Sequence, residues 1–150
     1  MLYFGYGSNL SSERMRGPDR CPGARFAGIA VLRGYRLAFD KPALKRWGGN
    51  AANIRPEAGA ETWGALWEVE DGSDDLRRLD AGERGYARVA VEVECEGEPV
   101  PAQAYLAPPG REEPPPAAYL EVLLRGAREH GLPAAYTRQL ALLRTGEDVP

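Results

Sequence analysis

Leu2-Tyr3-Phe4-Gly5-Tyr6-Gly7-Ser8-Asn9-Leu10 is the stretch on which the fold turns. Aromatic and aliphatic side chains run together and then give way to Gly7-Ser8-Asn9, so the chain reads as a buried strand entering a turn. Immediately beyond, Ser11 to Arg16 predicts one or two helical turns, opened by serine and stopped by Gly17-Pro18. From Gly28 to Phe39 two apolar stretches flank Arg33-Gly34, a bent strand or a hairpin. Lys41 to Gly49 reads as a loop, Ala51 to Ile54 as a short strand, and Pro56 to Gly59 as a turn that reverses the chain.

Further out, Trp63, Ala65, Trp67 and Val69 alternate with Gly64, Leu66, Glu68 and Glu70, a period of two that puts both tryptophans on one face of a half-buried strand. Asp71-Gly72-Ser73 ends it, Ser73 caps a short helix carrying Leu76 and Leu79, and Gly82 closes that helix, which leaves Glu83 just past its end. Val89, Val91, Val93 and Cys95 form a second alternating run. Across the Glu96-Gly97-Glu98-Pro99 turn it pairs with Val100, Ala102, Ala104 and Leu106 as an antiparallel hairpin, with Tyr105 on the face opposite Leu106. Pro108 to Pro116 is a surface loop delivering a helix in which Tyr119, Leu120, Leu123, Leu124 and Ala127 recur at helical spacing until Gly131 and Pro133 stop it. A last helix starts near Pro133 with Tyr136, Leu140 and Leu143 on its buried side. Strands first and helices at the end predict one α+β domain spanning residues 1–150, a small mixed or antiparallel curled sheet or barrel with flanking helices.

Composition narrows the function. With 150 residues, 43% hydrophobic, the chain supports one core of useful size. A net charge of −3 with dispersed arginines argues against nucleic acid, which needs a concentrated basic face. No apolar window is long enough to span a membrane and the first residues lack the pattern of a secretory signal, so the expected location is the cytoplasm. Two cysteines, Cys21 and Cys95, and one histidine, His130, are too few soft ligands for a structural or catalytic zinc site, and both thiols are expected to stay reduced.

Within the N-terminal stretch, two glycines at a strand end let backbone N–H groups converge on an anion, although an ordinary strand-to-turn junction has the same composition. It is no nucleotide fingerprint: Leu10 stands where a dinucleotide motif requires glycine, and Gly-Lys-Ser/Thr occurs nowhere. Ser8 invites a nucleophile reading, but it needs a base, and His130 sits at a predicted helix C-terminus, where the dipole favours it in a capping role. Glu83 is a loop carboxylate beside Arg84, so a solvated ion pair is the plainer reading of it. The hydroxyls of Tyr3, Tyr6, Tyr105 and Tyr119 belong to residues that usually sit at core edges.

The order of the motifs carries more than any one of them. Leu2 to Leu10, Thr62-Trp63-Gly64-Ala65-Leu66-Trp67, Leu79-Asp80-Ala81-Gly82-Glu83, Ala104-Tyr105-Leu106 and Glu129-His130-Gly131-Leu132-Pro133 together resemble the γ-glutamylcyclotransferase-like family, over nearly the whole chain. The resemblance implies conversion of a γ-glutamyl amino acid or γ-glutamyl amine to 5-oxoproline and free amine, with no metal and no cofactor. The substrate's own α-amine is the nucleophile, and Glu83 takes the position of the glutamate that removes a proton from the ammonium and returns one to the departing amine. Tyr6, Gly7, Ser8, Asn9 and Leu10 are implied to hold the γ-glutamyl group through backbone donors, with Tyr105 and Tyr119 beside it. Gly7 is expected to reject any side chain, both for close approach of the substrate and because such a turn draws on positive φ. A γ-glutamylamine variant of the enzyme and a binding module without turnover are the competing readings, and oligomeric state stays open.

Overall fold

The computed structural model describes residues 1–148. In chain order, β1 (Leu2–Gly5), a 3-10 turn (Ser8–Leu10) and α1 (Ser12–Met15) lead to β2 (Arg25–Ala43), α2 (Leu44–Trp47) and β3 (Gly49–Glu68). Then follow α3 (Asp74–Gly82), the hairpin of β4 (Ala87–Cys95) and β5 (Glu98–Leu106), α4 (Ala117–His130) and α5 (Ala134–Ala141). The strands close into a barrel in the order β1-β3-β2-β4-β5. Every pairing is antiparallel except β1 with β5, where Tyr3 lies opposite Gln103.

Closure depends on bends in the long β2–β3 pair. The register slips between Phe26 and Gly28, between Arg33 and Tyr35, and between Ala38 and Lys41, and irregularities of this kind increase twist and let a sheet curl. Gly28 to Phe39 is therefore one bent strand, not a hairpin. Pro56 to Gly59 does not reverse the chain. Pro56 pairs with Tyr35 and Glu61 with Arg33, so the residues between swell out of a continuous strand. Lys41 to Gly49 likewise is no plain loop: Lys41, Pro42 and Ala43 pair with Ala51, Asn50 and Gly49, and α2 fills the tip. Composition marked both places as breaks because it registers Pro and Gly without the partner strand that keeps them extended.

The β3 alternation holds, yet the strand is buried on both faces rather than one. Ala65, Trp67 and Val69 join one apolar cluster with Tyr3, Leu79, Leu120 and Leu124, while Leu66 joins another with Phe4, Leu32, Ile54, Val93 and Ala104. A closed barrel has an inner face to fill and helices on its outer one, so the half-buried pattern of an open sheet does not apply. The helix α4 contributes to both clusters and is held against the 3-10 turn at Gly126, where a Cβ would lie 2.7 Å from the backbone of Leu10 and Ser11. Ser73 caps α3, its hydroxyl accepting from the Leu76 N–H at 3.1 Å, and Gly131 ends α4 in the left-handed conformation. On α5 Leu140 is buried, but Leu143 lies past the helix end and is exposed.

Candidate active site

A cavity of about 580 Å³ opens where the end of β1, the 3-10 turn, the α2 segment and the end of α3 meet. Tyr6, Gly7, Ser8, Asn9, Glu83, Tyr105 and Tyr119 all border it. Leu10 does not: its side chain is buried under α4, and its N–H closes the turn onto the Gly7 carbonyl at 3.0 Å. That closing bond leaves the N–H groups of Ser8 and Asn9 outside the turn's own hydrogen bonding. Gly7 has φ −104°, so it needs no left-handed backbone. It excludes a side chain for another reason, since a Cβ there would stand 2.9 Å from the Tyr119 hydroxyl.

Each tyrosine is held by a named partner. The Tyr6 hydroxyl donates to the Tyr105 carbonyl at 2.6 Å, the Tyr105 hydroxyl donates to Asp80, and the Tyr119 hydroxyl accepts from the Ala52 N–H at 2.9 Å. Tyr86, which the sequence gave no reason to single out, donates to the Ala52 carbonyl at 2.6 Å. Burial pushes the phenols of Tyr3, Tyr6, Tyr86, Tyr105 and Tyr119 well above their ordinary range, so all stay protonated at neutral pH. They act as neutral hydrogen-bonding groups on a mostly apolar wall.

Glu83 follows directly on α3 and is mostly enclosed, with 13% of its side chain exposed. Its Oε1 accepts from the Asn9 amide at 2.8 Å and from the Arg20 guanidinium at 3.1 Å. The same Asn9 amide donates to the Tyr3 hydroxyl at 2.9 Å, and its carbonyl oxygen accepts from Arg20 at 2.5 Å. Glu83 is thus a packed and bonded carboxylate, not the solvated loop residue that its neighbours in sequence suggest.

At the mouth stand Lys41, Lys45, Arg46 and Arg84, which include both lysines of the chain. Arg46 donates to the Gly82 carbonyl at 3.1 Å and Lys41 lies over the Tyr86 ring, so the α2 segment bridges to the loop that carries Glu83. Trp47 packs edge-on against Tyr119 and under Arg14, forming a further wall. Arg20, Trp47 and Tyr86 were invisible as site residues in the sequence because they lie in segments of no recognisable pattern.

Ser8 has no histidine beside it. His130 lies away from the cavity, stacked on Phe26 with its Nε2 3.3 Å from Ser12 Oγ. Among the described residues no three His, Cys, Asp or Glu side chains converge as metal ligands, and no helix is long and apolar enough to cross a membrane.

Comparison with known proteins gives the family. Residues 61–140 match the model of the AIG2-like family. The gamma-glutamylcyclotransferase of Bos taurus is 34% identical over 93% of this chain and 76% of its own length, and that of Homo sapiens 32% identical over 97% and 80%. A solved gamma-glutamyl cyclotransferase superposes with a TM-score of 0.89 at 30% identity, covering 99% of this chain and 90% of the other. With 32–34% identity over most of these enzymes' length and a barrel that superposes on a solved one, the chain belongs to the AIG2-like family, among the gamma-glutamylcyclotransferases.

Proposed function

We propose that the protein converts a γ-glutamyl amino acid to 5-oxoproline and the free amino acid, with Glu83 as the acid and base. The observation that carries this reading is one carboxylate, packed and bonded at one oxygen, at the edge of a cavity whose wall is lined by neutral hydroxyls and apolar groups and whose mouth carries cations. An ammonium has no lone pair, so the substrate's α-amine must first surrender a proton, and Glu83 is the group placed to take it. The freed nitrogen attacks the γ-carbonyl carbon and closes a five-membered lactam. As the bond from that carbon to the leaving nitrogen breaks, Glu83 gives that proton to the leaving nitrogen; the attacking nitrogen sheds its second proton as the lactam forms and the departing amine takes up one more to leave as an ammonium, so two protons lost are matched by two gained.

Ring closure of this kind gains from a substrate held folded. The Asn9 N–H, the Ser8 N–H beside the Tyr119 hydroxyl, and the wall of Tyr119 and Trp47 are the features suited to that task. No serine nucleophile is required.

The mouth favours an amino acid over an alkylamine as leaving group. Within the described residues none of Lys41, Lys45, Arg46 and Arg84 is engaged in an ion pair with a carboxylate, so a substrate carboxylate arriving there meets cations with no acidic partner. A panel of γ-glutamyl amino acids and γ-glutamyl alkylamines, assayed for release of 5-oxoproline, tests the reading. Turnover of the amino acid conjugates supports it, turnover of the alkylamine conjugates alone transfers the assignment to a γ-glutamylamine enzyme, and no turnover of either with retained binding makes the fold a binding module.

A further inference from the structure

Arg20 lies in the irregular segment between α1 and β2. Its side chain is nonetheless 12% exposed, its Nε is enclosed without a partner, and one terminal nitrogen donates both to Asn9 Oδ1 and to Glu83 Oε1. Enclosing a guanidinium is unfavourable unless its partners are exact in position.

The consequence for Asn9 is specific. An amide can be turned either way round, and only a carbonyl oxygen can accept from a guanidinium, so Arg20 fixes Asn9 with its NH₂ toward Tyr3 and Glu83. Both bonds to Glu83 then fall on Oε1. Among the described residues none falls on Oε2, which is left for a proton in transit.

We propose that Arg20 is a positioning residue for the cyclisation: through Asn9 and directly, it holds the Glu83 carboxylate with Oε1 engaged and Oε2 free for the proton. The proposal rests on Glu83 being the acid and base. A second arginine close by, Arg14, is stacked on Trp47 instead of bonded to Glu83. Among the described residues Arg20 is the one cation bonded to the carboxylate.

The test is kcat and KM for the full chain and for Arg20→Gln and Arg20→Lys, on a γ-glutamyl amino acid that the wild type turns over, with circular dichroism and thermal unfolding to verify folding. Arg20→Gln is expected to lower kcat by about ten- to a hundredfold with KM within about threefold. Arg20→Lys keeps the charge but not the fork, so kcat stays reduced at near-wild-type KM. A residue that merely braces the fold would lower the unfolding midpoint and leave kcat per folded molecule unchanged, and a folded Arg20→Gln with wild-type kcat overturns the proposal. Should Arg20→Gln not fold, Arg20→Lys decides: reduced kcat at unchanged KM supports the proposal, and wild-type kcat overturns it. A wild type that releases no 5-oxoproline from any γ-glutamyl conjugate fails the parent reading instead, a result distinct from all of these.

Discussion

Asn9 donates its side-chain amide to Glu83 at 2.8 Å, joining two residues 74 positions apart in the chain. The bond ties the N-terminal turn to the end of α3, and neither half of the site is complete alone. Trp67 reinforces the same point by donating its indole N–H to the Asn9 carbonyl at 2.9 Å from the face of β3 that packs under the helices. The site is therefore assembled by barrel closure, and its residues report on the whole fold.

The turn predicts opposite outcomes for adjacent positions. Gly7→Val places side-chain atoms where the Tyr119 hydroxyl sits and displaces a ring wedged between Phe39 and Trp47, so substrate binding is expected to be lost. Ser8→Ala keeps the backbone and is expected to retain measurable turnover, since the attacking nitrogen belongs to the substrate. Steady-state kinetics on the pair separates intramolecular cyclisation from serine catalysis. A folded, inactive Ser8→Ala, or a glutamyl ester trapped on Ser8 by mass spectrometry, contradicts the former.

Thiol chemistry should leave activity untouched. Burial pushes the Cys21 thiol up to about 11, and its Sγ lies 3.3 Å from the Asp75 carbonyl. Because the thiolate is the reactive form, an alkylating reagent at neutral pH should modify the partly exposed Cys95 and spare Cys21. Neither borders the cavity. Peptide mapping beside an activity assay checks this, and rapid inactivation without unfolding would count against the site described.

Stability should fall on the alkaline side. The folded-state values of Cys21 and the buried tyrosines all lie above those of the unfolded chain, so between these values the folded protein holds more protons than the unfolded one. Their contribution is complete below the unfolded values and is lost as pH rises through and beyond them, starting near about pH 9. Urea unfolding followed from about pH 8 to about pH 11 should show a steady decline, and a flat profile contradicts the burial of these hydroxyls.

The cationic mouth makes a prediction about selectivity. Lys45→Ser and Arg84→Ser should each lower kcat/KM by roughly two- to fivefold for a γ-glutamyl amino acid, the worth of one exposed charge pair. For a γ-glutamyl alkylamine they should change little. Equal losses on both substrates would place these residues in folding or general access instead of carboxylate recognition.

How much of this was legible in the sequence depended on whether the signal was local. Ser73 as a cap, the helix carrying Leu76 and Leu79, the β4–β5 hairpin and the stop at Gly131 all rest on neighbouring residues, and the structure has them where the pattern placed them. Lys41 to Gly49 and Pro56 to Gly59 were misread because strand pairing with distant residues overrode their turn-like composition. Glu83 was nameable only through the ordered motifs, since a glutamate beside an arginine has no local mark of burial. Arg20 had no signal at all: its role is set by a contact 63 residues away, formed only when α3 docks beside the first turn.

The central claim is that one carboxylate moves the protons, and Glu83→Gln tests it most directly. The amide is nearly isosteric and can still bond to Asn9 and Arg20 after reorientation, but it can neither accept the ammonium proton nor return one. Release of 5-oxoproline from a γ-glutamyl amino acid is expected to fall by about 10²- to 10⁴-fold, with the thermal unfolding midpoint and substrate binding close to wild type. The exposed Glu13, Glu68 and Glu92 serve as glutamine controls that keep full activity. A folded Glu83→Gln that turns over at a rate near wild type would contradict the account.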